Sequence, residues 1–167
     1  RSIDAEVNLT TECMVAASKH DGLSVIEVLV NCMIFNNGTH KAFAGDKEVR
    51  AEHTITLRQG EKMLFGKNMD KGLMLDNMKL KVVTVGENDV TLDDILVHDA
   101  HEKDTMVHVM LASMKYPDFP VALGIIRDVA EPTYEREVAR QIAEVQATAK
   151  IKNVDDLLNS GETWEVE

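Results

Sequence analysis

Two short apolar stretches decide the fold class: residues 120–127 read PVALGIIR and residues 23–30 read LSVIEVLV. Both are almost continuously apolar, which is typical of strands that are covered on both faces of a parallel sheet. Apolar residues recur at helical spacing around them, in residues 9–19, 104–114 and 134–149. Because strands and helices follow one another along the chain, the sequence predicts an α/β fold.

The region between the two stretches loses the helical period and predicts a β-hairpin. Residues 73–75 and 78–85 flank Asp76-Asn77, a connection that tolerates the positive φ angles of a type I′ turn. Residues 33–45 are rich in asparagine and glycine, and they predict an irregular loop after the first strand. Residues 91–97 fit either a helical turn or a strand.

The predicted helices have recognisable ends and faces. Thr10 or Thr11 can cap the first helix, and Asp104 can cap the second. On the last helix, Arg140 and Glu144 are spaced to pair on the solvent side. The opposite side of that helix is expected to be a buried stripe, formed by Tyr134, Val138, Ile142, Val145 and Ala149.

The composition excludes several classes of function. The 167 residues include 29 acidic and 18 basic ones, and the formal net charge of −11 repels nucleic-acid phosphates and anionic lipids. No apolar run is long enough for a membrane span, and the first residues do not have the pattern of a signal peptide. These features, together with only two cysteines, predict a cytoplasmic protein. Since the chain begins with Arg1, we expect a processed product or a fragment.

Histidine and cysteine residues are the candidates for chemistry. His98, His101 and His108 form the densest histidine group, but no zinc-binding motif accompanies them, and solvated surface histidines are the favoured interpretation. Cys13 lies within an amphipathic helix and is expected to be part of the core. Cys32 ends a predicted buried strand, where ligands often bind, although a buried cysteine that acts as a small apolar residue is the simpler alternative.

A resemblance to a known family covers nearly the whole chain. Residues 23–36, LSVIEVLVNCMIFN, and residues 119–166 resemble the C-terminal part of the β subunit of 2-oxoacid:ferredoxin oxidoreductases. Residues 62–83 are similar to the branch that uses 2-oxoglutarate. The resemblance implies the C-terminal part of a thiamine-diphosphate-binding parallel-sheet domain with a β-hairpin insertion and C-terminal helices.

The resemblance also implies a division of the chain. Residues 1–50 are expected to end the thiamine-binding α/β domain and to include a cluster-ligand loop. Residues 51–100 are expected to be a β-rich insertion, and residues 101–167 a helix-strand-helix segment of the same domain. Trp164 is a candidate anchor on a partner subunit, and packing within its own chain is an equally open alternative.

The cofactors follow from the same resemblance. Proteins of this family hold thiamine diphosphate with Mg²⁺ and one [4Fe-4S] cluster, and Cys32 matches the fourth cysteine ligand of that cluster. Asn31, Phe35 and Asn36 are expected to support the cofactor without ligating it. Because a Cys₄ cluster needs three more cysteines, the other ligands are expected outside this chain, as are the groups that hold thiamine diphosphate and Mg²⁺. No catalytic residue is predicted within the chain.

The activity implied for the complete enzyme is the coenzyme A-dependent oxidative decarboxylation of 2-oxoglutarate. Electrons pass through the cluster to ferredoxin, and the reaction is reversible; this segment alone is predicted to be inactive. The implied partners are the α subunit, ferredoxin, coenzyme A and the 2-oxoacid, with no nucleic acid and no membrane. Two alternatives stay open: a β subunit that uses pyruvate or another 2-oxoacid, and a non-catalytic module for subunit assembly.

Overall fold

The computed structural model describes residues 1–162 and Trp164, and the chain forms two compact units. The first unit contains residues 1–20 and 24–130, and the second contains residues 21–23 and those from 131 onward. The predicted segment 101–167 includes residues 163 and 165–167, which lie outside the described residues. The domain boundaries given above stay predictions.

The first unit is mixed α/β, as the sequence predicts. Its elements in chain order are β1 (Ser2–Ile3), α1 (Val7–Lys19), β2 (Val28–Leu29), α2 (Lys41–Ala44), α3 (Lys47–His53), β3 (Thr54–Leu57), β4 (Leu64–Phe65), β5 (Lys71–Asp76), β6 (Lys79–Thr84), a 3₁₀ turn (Leu92–Asp94), α4 (Met106–Ser113) and β7 (Val121–Gly124). β1 pairs in parallel with β2, and β3 pairs in parallel with β7. Arg1 and Gly124 exchange two backbone hydrogen bonds of 2.8 Å, which link the two pairs in the order β2-β1-β7-β3.

Strand β7 is the centre of the core. All four of its residues are buried, and successive side chains point to opposite faces of the sheet. Ala122 packs into one apolar cluster, formed by Ile55, Leu57, Met63, Phe65, Leu73, Leu111, Met114 and Ala122. Val121 and Leu123 pack into the other cluster, formed by Ile3, Leu9, Cys13, Val121 and Leu123. The prediction of a strand covered on both faces within residues 120–127 is therefore confirmed.

The corresponding prediction for residues 23–30 is wrong. Only β2 forms a strand there, and Val25 and Val30 are 83% and 53% exposed. Among the described residues, β2 pairs with β1 alone, so the stretch has a strand neighbour on one side only. An apolar run is buried only where other elements pack against it.

The predicted hairpin forms, but its turn is shifted by one residue. Asp76 pairs with Lys79, so the connecting residues are Asn77 and Met78, with φ angles of 47° and 63°. The turn predicted from the sequence is Asp76-Asn77, one residue earlier. Two successive positive φ angles are the requirement of a type I′ turn, and the twist of the two strands selects the register that supplies them.

Other local predictions meet mixed outcomes. The helix predicted over residues 9–19 is α1, but it begins at Val7, so Thr10 and Thr11 lie inside it and cannot cap it. Their side chains donate back to the carbonyls of Glu6 and Val7. The helix predicted over residues 104–114 is α4, and its N-cap residue is Thr105 instead of the predicted Asp104, with no capping hydrogen bond from a side chain. Asp104 lies one residue before the cap, where its carboxylate accepts a hydrogen bond from the backbone N–H of Met106 at 2.7 Å.

Two undecided or irregular segments also take defined forms. The open choice for residues 91–97 resolves into the 3₁₀ turn, which Thr91 and Asp94 close with a reciprocal capping box. The loop predicted for residues 33–45 consists mainly of turns, and it ends in the single helical turn of α2.

The second unit contains two helices, α5 (Tyr134–Thr148) and α6 (Val154–Leu158). Thr133 and Asn153 cap them through their side chains. Arg140 donates to Glu144 at 2.8 Å, as predicted. The predicted buried stripe of α5 is wrong, since no residue of α5 is buried. Among the stripe's residues, Tyr134 is 80% and Val145 63% exposed. Helical spacing sets which residues share a face, but a second element must pack there to bury it.

No helix among the described residues combines the length and apolar character that a membrane crossing requires.

Candidate functional site

Cys32 lies in a tight turn just beyond the carboxyl end of β2. The backbone N–H of Asn36 donates to the carbonyl of Cys32 at 3.0 Å and closes the turn. The backbone N–H of Phe35 points inward and donates to Cys32 Sγ at 3.5 Å. The side chain of Cys32 is half-buried, and the backbone of its own loop holds the sulfur in position.

This turn favours the ionised form of the sulfur. Hydrogen bonds from the backbone N–H groups of Phe35 and Ile34, and to a lesser extent Asn36, lower the pKa of the Cys32 thiol, against a smaller opposing effect of burial. A backbone N–H stabilises a thiolate more than a neutral thiol. Since thiolates are the form that ligates metals, the turn prepares Cys32 for that role.

Asn31 organises the loop through both ends of its side-chain amide. Its Nδ2 donates to Asn37 Oδ1 at 3.1 Å, and its Oδ1 accepts from the backbone N–H of Gly38 at 2.7 Å. The backbone N–H of Asn31 donates to Asp4 Oδ2 at 3.0 Å, which ties the loop to the residues after β1. These contacts fix the backbone on both sides of Cys32.

The other two predicted supporting residues have different surroundings. Asn36 donates through Nδ2 to Thr39 Oγ1 at 3.0 Å, so its side chain stabilises the loop itself. Phe35 is 90% exposed and contributes to the sulfur only through its backbone N–H. The structure thus brings Asn31, Phe35 and Asn36 together around Cys32, while their roles toward a cofactor stay predictions.

The loop around Cys32 could supply one thiolate ligand to an iron-sulfur cluster. Within the part of the chain that the structure describes, no group of three or more histidine, cysteine, aspartate or glutamate side chains is arranged to hold a metal ion. Cys13 is buried in the core beside Leu9 and Val121, as predicted, and it does not accompany Cys32. A Cys₄ cluster at Cys32 would take its three other thiolates from outside this sequence.

The interpretation of His98 and His108 as solvated is wrong, because both side chains are buried. His98 Nε2 donates to the carbonyl of Ile125 at 2.8 Å, and His108 Nε2 donates to the carbonyl of Asp99 at 2.8 Å. Arg127 Nη1 donates to His108 Nδ1 at 3.2 Å, so that nitrogen carries no proton. Burial lowers the pKa of His98. Through these hydrogen bonds the two imidazoles connect the segment at residues 98–99 with Ile125 and Arg127, which follow β7. No sequence motif indicates this structural role.

A small cavity of about 160 Å³ lies where the parallel strands β3 and β7 end. No sequence motif indicates this cavity, because its lining comes from four separate stretches of the chain. The polar side chains around it already have protein partners: Gln59 contacts Asp99 and Ala100, and Asp128 contacts His20. Cys32 is therefore the stronger candidate for chemistry.

One curated relative carries the functional information. The 2-oxoglutarate oxidoreductase subunit KorB of Mycobacterium tuberculosis is 31% identical to this chain over 170 residues, which cover 100% of the chain and 44% of KorB. The chain thus spans less than half the length of this relative. No family model and no solved structure matches this chain. The resemblance inferred from the sequence is confirmed: along its entire length this chain is similar to part of a 2-oxoglutarate oxidoreductase subunit, in agreement with the predicted C-terminal portion.

Proposed function

We propose that this chain is the C-terminal portion of the β subunit of a 2-oxoglutarate:ferredoxin oxidoreductase, and that Cys32 ligates a [4Fe-4S] cluster. The observation that carries the proposal is the turn around Cys32, in which backbone N–H groups converge on an accessible sulfur. The similarity to KorB supplies the class of enzyme.

The geometry of the loop suits a cluster ligand. Hydrogen bonds from backbone N–H groups to ligating sulfurs are one of the means by which proteins set cluster potentials. The N–H of Phe35 already points at the sulfur, and the side chain of Asn31 fixes the loop that carries it. The ligand is therefore positioned before the metal binds, which reduces the entropy lost on ligation.

The chain's own contribution to the reaction lies in the electron path. Thiamine diphosphate with Mg²⁺ would supply the decarboxylation chemistry in the complete enzyme, held by residues outside this sequence. Cys32 would hold the cluster that passes the two electrons on one at a time, and coenzyme A would accept the acyl group. Under this proposal, the α subunit, ferredoxin, coenzyme A and 2-oxoglutarate are the partners, and this segment alone does not catalyse.

The proposal is tested with Cys32→Ala in the complete oxidoreductase. The variant is expected to lose most of its iron and acid-labile sulfide, together with the electron paramagnetic resonance signal of the reduced cluster, since a Cys₄ site lacks one of its ligands. Cys13→Ala is the matched control, because it removes the other cysteine of the chain and is expected to keep the full iron content. Unchanged iron in Cys32→Ala would reject the ligand role and favour an assembly module.

The substrate is tested separately by turnover. The complete enzyme is expected to reduce ferredoxin faster with 2-oxoglutarate than with pyruvate at equal concentrations. A preference for pyruvate or a branched 2-oxoacid would reassign the substrate and leave the role of Cys32 unaffected.

A further inference from the structure

The cavity at the ends of β3 and β7 has the composition of a small-molecule site. It lies at the carboxyl ends of two parallel strands, which is where parallel sheets commonly bind ligands. All of its lining residues belong to the first unit. The buried side chains of Leu9, Cys13 and Leu57 make part of its wall apolar, and charged side chains complete the lining. A mostly apolar wall with a few polar groups is typical of ligand pockets.

The size of the cavity limits the ligand to a compact organic molecule. Its volume of about 160 Å³ is close to that of a protein cavity of roughly 150 Å³ that admits benzene. It is well below the range of roughly 300–1,000 Å³ for sites that take drug-sized ligands, so a whole nucleotide does not fit. The charged side chains of the lining therefore select among small molecules.

Arg58 provides a group that binds anions. Its one side-chain hydrogen bond to a described residue joins Nη1 to Glu12 Oε2 at 3.4 Å, which is long, and both side chains are about half-exposed. A guanidinium has five N–H donors in a fork that matches the geometry of a carboxylate. Nε and Nη2 of Arg58, which have no partner among the described residues, are available to bind one.

Asp128 provides the opposite charge. Its Oδ1 accepts a hydrogen bond from His20 Nδ1 at 2.8 Å, while Oδ2 has no partner in the described part of the chain. Its backbone is held on both sides, since its N–H donates to the carbonyl of Ala100 and its carbonyl accepts from His101 Nδ1. Because that nitrogen carries the proton, Nε2 of the neutral His101 ring is an acceptor. These acceptors suit an ammonium group.

Opposite charges on one small cavity fit a zwitterion. A ligand with only a negative charge meets the carboxylates of Glu12 and Asp128, and a ligand with only a positive charge meets Arg58. We propose that the cavity binds a small α-amino acid with an apolar side chain. The carboxylate binds Arg58, the ammonium group binds Asp128 and His101, and the side chain packs against the apolar wall at Leu57. This inference does not rest on the proposed function.

Calorimetric titration of the complete oxidoreductase with three matched probes tests the proposal. L-valine carries both charges, isovalerate lacks the ammonium group, and isobutylamine lacks the carboxylate. L-valine is expected to bind at least about tenfold more tightly than either of the others, because each singly charged probe leaves one charged group of the cavity without a partner. No detectable binding of L-valine, or equal affinities for the three probes, would overturn the proposal.

Two variants assign the charges to their residues. In Arg58→Gln, the preference for L-valine over isobutylamine is expected to disappear, since the carboxylate has lost its partner, while the preference over isovalerate stays. In Asp128→Asn, the preference over isovalerate is expected to disappear instead. Arg140→Gln on α5, an exposed arginine of the second unit, is the control that keeps both preferences.

Arg58→Gln decides the proposal by itself if Asp128→Asn fails to fold. The side chain of Arg58 is about half-exposed and makes one long contact, so its loss is expected to leave the fold intact. An unchanged preference for L-valine over isobutylamine in this variant would place the binding elsewhere in the enzyme and overturn the proposal.

Discussion

Strand β7 and the stretch 23–30 are both largely apolar, but they differ in exposure. Every residue of β7 is buried, whereas Val25 is 83% exposed. β7 lies between β1 and β3 and has an apolar cluster on each face, while β2 lies at the end of the sheet order with one strand neighbour among the described residues. An apolar run shows that burial of a stretch would be favourable. Whether the stretch is buried depends on the elements that pack against it.

The largest expected effect tests the comparison directly with two matched truncations. Leu123→Ala is expected to lower the free energy of unfolding by about 3 kcal/mol, because it leaves a cavity in a fully packed cluster. Val25→Ala in the exposed stretch is expected to change it by less than about 0.5 kcal/mol. Urea unfolding of both variants of this chain measures the difference. Equal losses would show that residues 23–30 are packed as tightly as β7.

A second test examines how closely the strands approach. Gly124 ends β7 with a φ of 94°, and a Cβ there would lie 2.6 Å from the carbonyl oxygen of Leu57. Gly124→Ala is expected to cost about 2 kcal/mol, since the strain of the positive φ adds to the clash. Gly86→Ala is the control, because Gly86 has a φ of 89° but no atom near its Cβ position, and about 1 kcal/mol is expected there. Equal costs in urea unfolding would assign the whole effect to the backbone angle.

The two cysteines extend the comparison to reactivity. Cys13 packs against β7 and is 6% exposed, while Cys32 follows β2 and is more accessible than Cys13, although half-buried. Since backbone hydrogen bonds also lower the pKa of Cys32, iodoacetamide is expected to alkylate it at least about tenfold faster than Cys13 in the cluster-free protein. Mass spectrometry over time gives both rates. Comparable rates of alkylation at Cys13 and Cys32 would contradict the difference in packing between the core at β7 and the loop after β2.

The smallest expected effect concerns the pH dependence of the buried region. Burial lowers the pKa of His98 below its ordinary value of 6.5, and Nδ1 of His98 has no hydrogen-bond partner among the described residues. The unfolded chain therefore binds the proton more readily. The contribution of His98 to stability is complete above pH 6.5 and decreases as the pH falls below it, by at most about 1.4 kcal/mol per pH unit.

His98→Gln is the matched variant for this prediction, because glutamine can still donate to the carbonyl of Ile125 but does not titrate. Urea midpoints of the original chain should fall more steeply between pH 7.5 and pH 5.5 than those of the variant. Identical pH profiles would mean that His98 has the same pKa in the folded and unfolded states, as a solvated histidine would.

Local features were predictable where neighbouring residues decide them. The turn chemistry of residues 76–78 indicates a hairpin, although the register differs by one residue, and the pairing of Arg140 with Glu144 follows from their spacing. The mixed α/β character follows from the alternation of patterns. The burial of His98 was not predictable, because it depends on the carbonyl of Ile125, which is 27 residues away in sequence.

The candidate site divides in the same way. Cys32 was identified from the sequence as a candidate ligand through the resemblance of residues 23–36, since the presence of a cysteine and its place after a strand are properties of the chain order. The N–H groups of Ile34 and Phe35 that converge on its sulfur were visible only once the turn had folded.

The periodicities, the hairpin and the place of Cys32 after a strand follow from the order of the residues, because each depends on residues close together in the chain. The family resemblance also follows from that order, but through matches along nearly the whole chain. Three outcomes come from tertiary packing: which apolar stretch is buried, which histidines lie in the core and which groups contact the Cys32 sulfur. Those outcomes depend on how many elements pack around each residue, and contacts between distant parts of the chain set that number.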